Sequence, residues 1–240
     1  MKLMIVRHGD PNYKIDGLTE KGEKEAELLS YRLAKEKEPI FYCSVLGRAR
    51  ATVAPTLKLL GTDAVYCDWL REFGYVRIDP PGKRDHLAWD LLPACVRDYP
   101  ALYSPDGWRD VPFIKQSDVP AAYDEVCRAL DELLCRHGYV RDGKIYRAER
   151  ANHDTVVLVC HFGVTAVLLS HLMNCSPYSI WENAVTLPTS VTTLYTEERE
   201  AGISFFRCVG MGDVSHLYAK GEEPAFSGRF CECFEDETRH

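Results

Sequence analysis

The sequence predicts an α/β fold: a doubly wound, mostly parallel sheet with helices on both faces and a cap-like insertion. Three observations carry this. Residues 2–67 read as β-α-β-α-β, an order that favours parallel strands joined by right-handed crossovers. The stretch Thr155–Cys160 is the strongest strand in the chain, apolar from Val156 onward, as a central parallel strand requires. Between these regions, from about 76 to 150, the chain changes character. A length of 240 residues suits one such unit, so residues 1–240 are read as a single domain with the inserted cap at about 76–150.

Taken in order, residues 2 to 7 read as a short buried strand, broken by Asp10-Pro11-Asn12. Thr19 to Lys37 reads as a helix. Thr19 is its expected N-cap, Ala26, Leu29 and Leu33 recur at helical spacing, and Lys35 and Lys37 suit the negative end of the dipole. Pro39 is expected to end it. Ile40 to Ser44 is the second strand, Gly47 to Leu60 a helix bent near Pro55, and Ala64 to Cys67 the third strand. In the insertion, Pro80-Pro81-Gly82 signals loop, Asp85 to Tyr99 is the expected helical piece, and Ala121 to His137 is a clearer helix. After the strand at 155–160, a helix is expected over Gly163–Met173. Strands at about Ala184–Tyr195 and Ile203–Val209 read as a hairpin, and Met211–His240 as a polar tail of little regular pattern.

Composition excludes several classes. The net charge of -7 argues against nucleic acid or an anionic membrane as the main partner. It leaves open a small anionic ligand, which needs only a few basic residues in one place. No apolar run approaches the roughly 20 residues of a membrane span. The apolar stretch Met1–Val6 is too short for a signal peptide, so a cytoplasmic protein is expected. The ten cysteines are scattered, and without a C-x-x-C pair they read as reduced thiols acting as small hydrophobes.

Two strands end alike. The first runs into Arg7-His8-Gly9 and the strongest into Cys160-His161-Phe162-Gly163. In open α/β sheets, ligands bind outside the carboxyl ends of the strands. A single histidine there is ordinarily a polar strand end bonded to backbone; two at equivalent positions point to function. Arg7 adjoins His8, and Arg48 begins the helix after the second strand. A helix N-terminus offers free N–H groups to an anion, and guanidinium adds a planar fork that matches phosphate oxygens. By sequence alone Arg50 competes with Arg48.

The ordered series Arg7-His8-Gly9, Leu18-Thr19-x-x-Gly22, Ser44-x-x-x-Arg48-Ala49-x-x-Thr52, Leu70-Arg71-Glu72 and His161 resembles the histidine phosphatase superfamily, the phosphoglycerate mutase-like group. The resemblance spans residues 1 to about 175. It implies that His8 attacks phosphorus to form a phosphohistidine. It also implies that Arg7, Arg48 and His161 hold the phosphoryl oxygens, and that Glu72 protonates the leaving oxygen. Asn12 and Phe162 join the substrate-binding set, and Asp68 is the nearest rival to Glu72. The chemistry is coherent. Neutral imidazole is a competent nucleophile, and phosphoryl transfer is catalysed chiefly by positioning and charge stabilisation. The implied reaction is phosphomonoester hydrolysis on a small phosphorylated molecule, with no metal and no organic cofactor.

Two departures weigh on the choice within the family. Asp10-Pro11 stands where many members have Glu or Gln and then Thr or Ser. Phe73-Gly74-Tyr75 is unlike the longer segment of the glycolytic mutases. Both favour a phosphatase over a mutase-type phosphotransferase, the principal rival; a non-catalytic phosphate-binding module is the other. His171 and His216 read as structural. His86, Trp89 and Trp108, in the insertion, are candidates to line a pocket, although tryptophans more often simply pack.

Overall fold

The structure is a computed structural model and describes residues 1–236; the last four residues of the tail expected at 211–240 lie outside the described residues. The main sheet has eight strands: β1 (Lys2–Arg7), β2 (Ile40–Ser44), β3 (Ala64–Cys67), β4 (Tyr139–Asp142), β5 (Ile145–Ala148), β6 (Thr155–Cys160), β7 (Val191–Glu200) and β8 (Ile203–Asp213). Their spatial order is β3-β2-β6-β1-β7-β8-β5-β4. The first four run parallel, and the remainder joins antiparallel through the pairing of β7 with β1. The fold is α/β, and its parallel half carries the site.

Alternation along the parallel strands divides two cores. Met4, Val6, Phe41, Cys43, Val157 and Val159 face one side with Leu29, Leu33, Ala49 and Val53. Those four lie on helices α1 (Glu20–Leu33) and α2 (Gly47–Leu60). Leu3, Ile5, Tyr42, Val156, Leu158 and Cys160 face the other side. That side is covered by helices α3 (Val119–Arg136) and α4 (Phe162–Met173). Strands buried on both faces need such continuous apolar runs.

Several boundaries differ from the sequence expectation. Helix α1 stops at Leu33, because residues 34–38 form a turn with Glu38 at φ 44°. Its last-turn cation is therefore Arg32, paired with Asp213, while Lys35 and Lys37 lie beyond the helix. The helix expected over Asp85–Tyr99 shrinks to Pro93–Asp98. Asp85 takes a left-handed φ of 51°, and His86–Leu87 pairs instead with Arg77–Ile78. Proline suits the first helical turn and so sets the new start. The strand expected from Ala184 begins at Val191, because Thr189 has φ 55° and the preceding loop crosses beneath the ends of β1. There Thr189 N–H donates to the His8 carbonyl and Arg7 N–H to the Ser190 carbonyl. Within the segment 76–150, β4 and β5 form a hairpin that extends the main sheet through β8. Among the described residues no helix is long and apolar enough to cross a membrane.

Candidate active site

Register alone brings the two histidines together. In the parallel ladder Arg7 pairs with Cys160, so His8 and His161 leave neighbouring strands at the same level. Their ring centroids are 5.0 Å apart. Both side chains are buried, at 1% and 0% exposure.

His8 Nδ1 lies 2.7 Å from the Gly9 carbonyl oxygen, an acceptor only. The proton is therefore on Nδ1, and Nε2 keeps its lone pair. Burial, then the charge of Arg7, pushes the His8 pKa down to about 3, so the imidazole is neutral near pH 7. His161 is held by Ser44, whose Oγ is 2.8 Å from Nε2, and its Nδ1 has no protein partner. Burial and then His8 keep it well below the ordinary histidine value.

The two arginines approach from different elements. Arg7 ends β1, and its Nη1 donates to the carbonyls of Thr186 at 2.6 Å and Ser227 at 2.8 Å. Arg48, in the first turn of α2, donates from Nη1 to Asp16 Oδ1 at 2.6 Å, while Asp16 Oδ2 accepts the Gly47 N–H. The Nε of each arginine is buried without a protein partner. Thr52 ties the two loops together: it accepts the Gly9 N–H and donates to the Arg48 carbonyl. Glycine is required at Gly22, because a Cβ there would stand 2.3 Å from the Asp10 carbonyl oxygen. Thr19 caps α1 as expected, accepting the Gly22 N–H.

Glu72 follows the short turn after β3. Its Oε1 accepts the Phe73 N–H at 2.8 Å, and the Val164 N–H at the start of α4 also donates to its carboxyl. Burial raises its pKa; those two N–H groups, Arg7 and Arg48 pull the other way. Oε1 lies 2.6 Å from the point a Cβ would occupy on Gly163. The competing residues are elsewhere. Asp68 is exposed and pairs with Arg71, and Arg50 is exposed over the Tyr66 ring.

The structure thus gathers Arg7, His8, Arg48, Glu72 and His161. Phe162 stands beside them, edge to face with Trp89 at 5.8 Å. Asn12 Oδ1 accepts the Lys14 N–H in a local turn. Trp108 is buried beside Tyr123, and His86 bonds the Asp90 carbonyl. His171 bonds Asp131, and His216 bonds Thr189. Five contributors escaped the sequence reading. Ser44 and Thr52 were legible only as members of a spacing pattern. Asp16, Thr186 and Ser227 carry no local signal, since the last two lie 179 and 220 residues from Arg7.

Known proteins resemble this chain in sequence or in fold. The sequence profile of the histidine phosphatase superfamily (branch 1) matches residues 3–90. A probable phosphatase of Schizosaccharomyces pombe is 27% identical over 233 residues, covering 90% of this chain and 95% of that one. Among solved structures, a mutant phosphoserine phosphatase of Entamoeba histolytica in complex with phosphoserine superposes with a TM-score of 0.61 at 17% identity, covering 90% and 98% of the two chains. A mycobacterial glucosyl-3-phosphoglycerate phosphatase in complex with inorganic phosphate gives 0.56 at 21%, covering 90% and 99%. Paired strand-end histidines, two converging arginines and the profile match over residues 3–90 make the chain similar to the histidine phosphatase superfamily, and its fold is that of the solved phosphatases.

Proposed function

We propose that this protein hydrolyses a small phosphomonoester through a phosphohistidine on His8. One observation carries the reading: the Nδ1–H of a buried, neutral His8 is committed to the Gly9 carbonyl, which leaves the Nε2 lone pair available between Arg7, Arg48 and His161. In the first step Nε2 attacks phosphorus, the P–O ester bond breaks, and Glu72 gives its proton to the departing oxygen. In the second, water attacks the phosphohistidine, its proton passes to the Glu72 carboxylate, the P–N bond breaks, and phosphate leaves. Arg7, Arg48 and the Nδ1 of His161 stabilise the equatorial oxygens, supplying the positive charge without a metal. Burial raises the Glu72 pKa, the direction that favours a proton donor. Substrates of this size agree with the phosphoserine and 3-phosphoglyceric acid complexes of the Entamoeba histolytica enzyme. The segment 76–150 supplies Trp89 beside the site, and we assign the part of it before α3 the role of a cap that shapes specificity.

His8→Ala tests the reading. Hydrolysis of p-nitrophenyl phosphate is expected to vanish with the circular dichroism spectrum unchanged, and rapid quenching of the wild type should trap an acid-labile phosphoenzyme that the variant lacks. Chelator should leave turnover unaltered. Near-normal turnover in folded His8→Ala removes the mechanism.

A further inference from the structure

The buried polar atoms without a protein partner include Arg7 Nε, Arg48 Nε, His161 Nδ1 and Trp89 Nε1. The first three belong to groups assigned to phosphoryl oxygens. Trp89 remains unexplained. It comes from the segment after His86–Leu87, and its ring packs edge to face on Phe162, with an interplanar angle of 86°. The pyrrole edge lies against the start of α4. A Cβ on Gly163 would meet Trp89 Cδ1 and Nε1 at 2.9 Å each and Glu72 Oε1 at 2.6 Å. The indole N–H and the Glu72 carboxyl therefore share one crease.

A buried indole N–H normally finds an acceptor. Trp181, which touches the same residue, follows that rule by donating to the Gly163 carbonyl at 3.0 Å. Trp89 does not, although its N–H lies beside the carboxyl of Glu72, the residue assigned above to protonate the leaving oxygen. We infer that Trp89 reads the leaving group: its N–H donates to an oxygen on the substrate's alcohol, next to the ester oxygen that Glu72 protonates. This rests on the hydrolase reading above. The chemistry of the crease also limits the acceptor. The cations that act on Glu72 are Arg7 and Arg48, both engaged with the phosphoryl group in that reading. A second anionic group beside the Glu72 carboxyl would go uncompensated. The acceptor is a neutral hydroxyl or ether oxygen on an alcohol whose carbon face lies on Trp89 and Phe162, as in a polyol or sugar phosphate.

Trp89→Phe keeps a ring over Phe162 and removes the donor. The test compares glycerol 2-phosphate with isopropyl phosphate, which has the same branching and lacks the hydroxyls. Wild type should favour the former in kcat/KM by about 3- to 10-fold, the worth of one neutral hydrogen bond. In Trp89→Phe the ratio should fall toward one, whereas Trp69→Phe should keep it. A wild-type ratio near one, or a ratio that survives Trp89→Phe, overturns the inference. A second readout is independent of turnover. In ¹⁵N-labelled His8→Ala, the indole resonance missing from the His8→Ala/Trp89→Phe spectrum should move downfield with glycerol 2-phosphate and not with isopropyl phosphate. Equal movement with both assigns the acceptor to the phosphoryl group, and no movement with either removes the contact; both overturn the proposal. If wild type hydrolyses neither ester and the resonance still moves selectively, the hydrolase reading fails and Trp89 stands as a ligand-reading residue.

Discussion

Ser44 Oγ lies 2.8 Å from His161 Nε2, a contact between residues 117 apart in sequence that fixes the second histidine of the site. Ser44 closes β2 and is fully buried. With Ser44 donating to Nε2, the His161 proton sits on Nδ1, the atom without a protein partner. In the mechanism proposed above, Ser44 thus sets which ring nitrogen faces the phosphoryl group.

Ser44→Ala should release that constraint and leave a buried ring nitrogen unpaired. The expected loss is roughly tenfold in kcat/KM, given that an unsatisfied buried polar atom costs about 1–3 kcal/mol. Ser44→Thr, which retains the hydroxyl, should recover part of it. Steady-state kinetics on p-nitrophenyl phosphate check both, and an unaffected Ser44→Ala would show that His161 is oriented by packing alone.

Much of this site was legible because its signals are local. A strand that ends in histidine with a glycine one or two residues on can be seen twice, and parallel register then makes His8 and His161 neighbours without further information. Arg48 was placed by its helix start and chosen over Arg50 by the family resemblance; the physical reason is that the two differ by about 200° around a helix axis and only one can face the sheet edge. Glu72 was separated from Asp68 by family position; the physical reason is the pair of N–H groups from Phe73 and Val164 that receive its carboxyl. Asn12 came with the family resemblance; its Oδ1 accepts the Lys14 N–H across a turn, and its Nδ2 donors remain for a ligand. The antiparallel half of the sheet was harder to read, because the β4–β5 hairpin pairs with β8 across more than 50 residues of chain. The same holds for the residues that restrain Arg7, which meet it only after folding.

Arg7 supplies the next prediction. The chain near Ser227 folds back over it: Ser227 accepts from Arg7 through its carbonyl and bonds Asp10 through its hydroxyl, and Ala225 N–H donates to the buried Glu25. Gly228 follows with φ +97°, and a Cβ there would stand 2.7 Å from Arg7 Nη1. Gly228→Ala should therefore displace the guanidinium. Inhibition by inorganic phosphate should weaken roughly tenfold, the scale of one hydrogen bond to a charged group at about 1.5–3 kcal/mol. Unfolding temperature should fall only modestly, by the strain of an alanine at φ +97°, because Gly228 lies outside both cores. A normal inhibition constant would mean that this segment does not position Arg7.

Burial of His8 predicts the pH dependence of stability. Its pKa falls from 6.5 to about 3 on folding. Between those values the unfolded chain binds a proton that the folded chain refuses, so stability falls as pH drops from about 6.5 toward 3. His161, depressed in the same direction, adds to the slope. Each group contributes at most about 1.4 kcal/mol per pH unit. Urea titrations at pH 7 and pH 5 should show a clear loss in wild type and a smaller one in His8→Gln. Identical losses would mean that His8 is protonated in the folded state, and its role as a neutral nucleophile would fall with that.

Glu72 gives the sharpest test of mechanism, because a proton donor matters in proportion to the leaving group's need for one. An alkoxide requires that proton, whereas nitrophenolate departs nearly without it. Glu72→Gln keeps the carbonyl oxygen that receives the Phe73 N–H and removes the proton that can be given. Hydrolysis of an alkyl phosphate should fall by roughly 100- to 10,000-fold, the usual value of general acid catalysis, and hydrolysis of an aryl phosphate far less. Asp68→Asn, at an exposed carboxylate paired with Arg71, is the control and should show no such selectivity. Gly163→Ala approaches the same atom from the other side. Its new Cβ would contact Glu72 Oε1 at 2.6 Å, and the backbone of α4 cannot yield as a side chain can, so the carboxyl must move. The displaced acid should reproduce the leaving-group selectivity of Glu72→Gln in weaker form. Equal losses on both esters in Glu72→Gln would reduce the residue to a positioning role, and selectivity arising in Asp68→Asn would transfer the acid to that side chain.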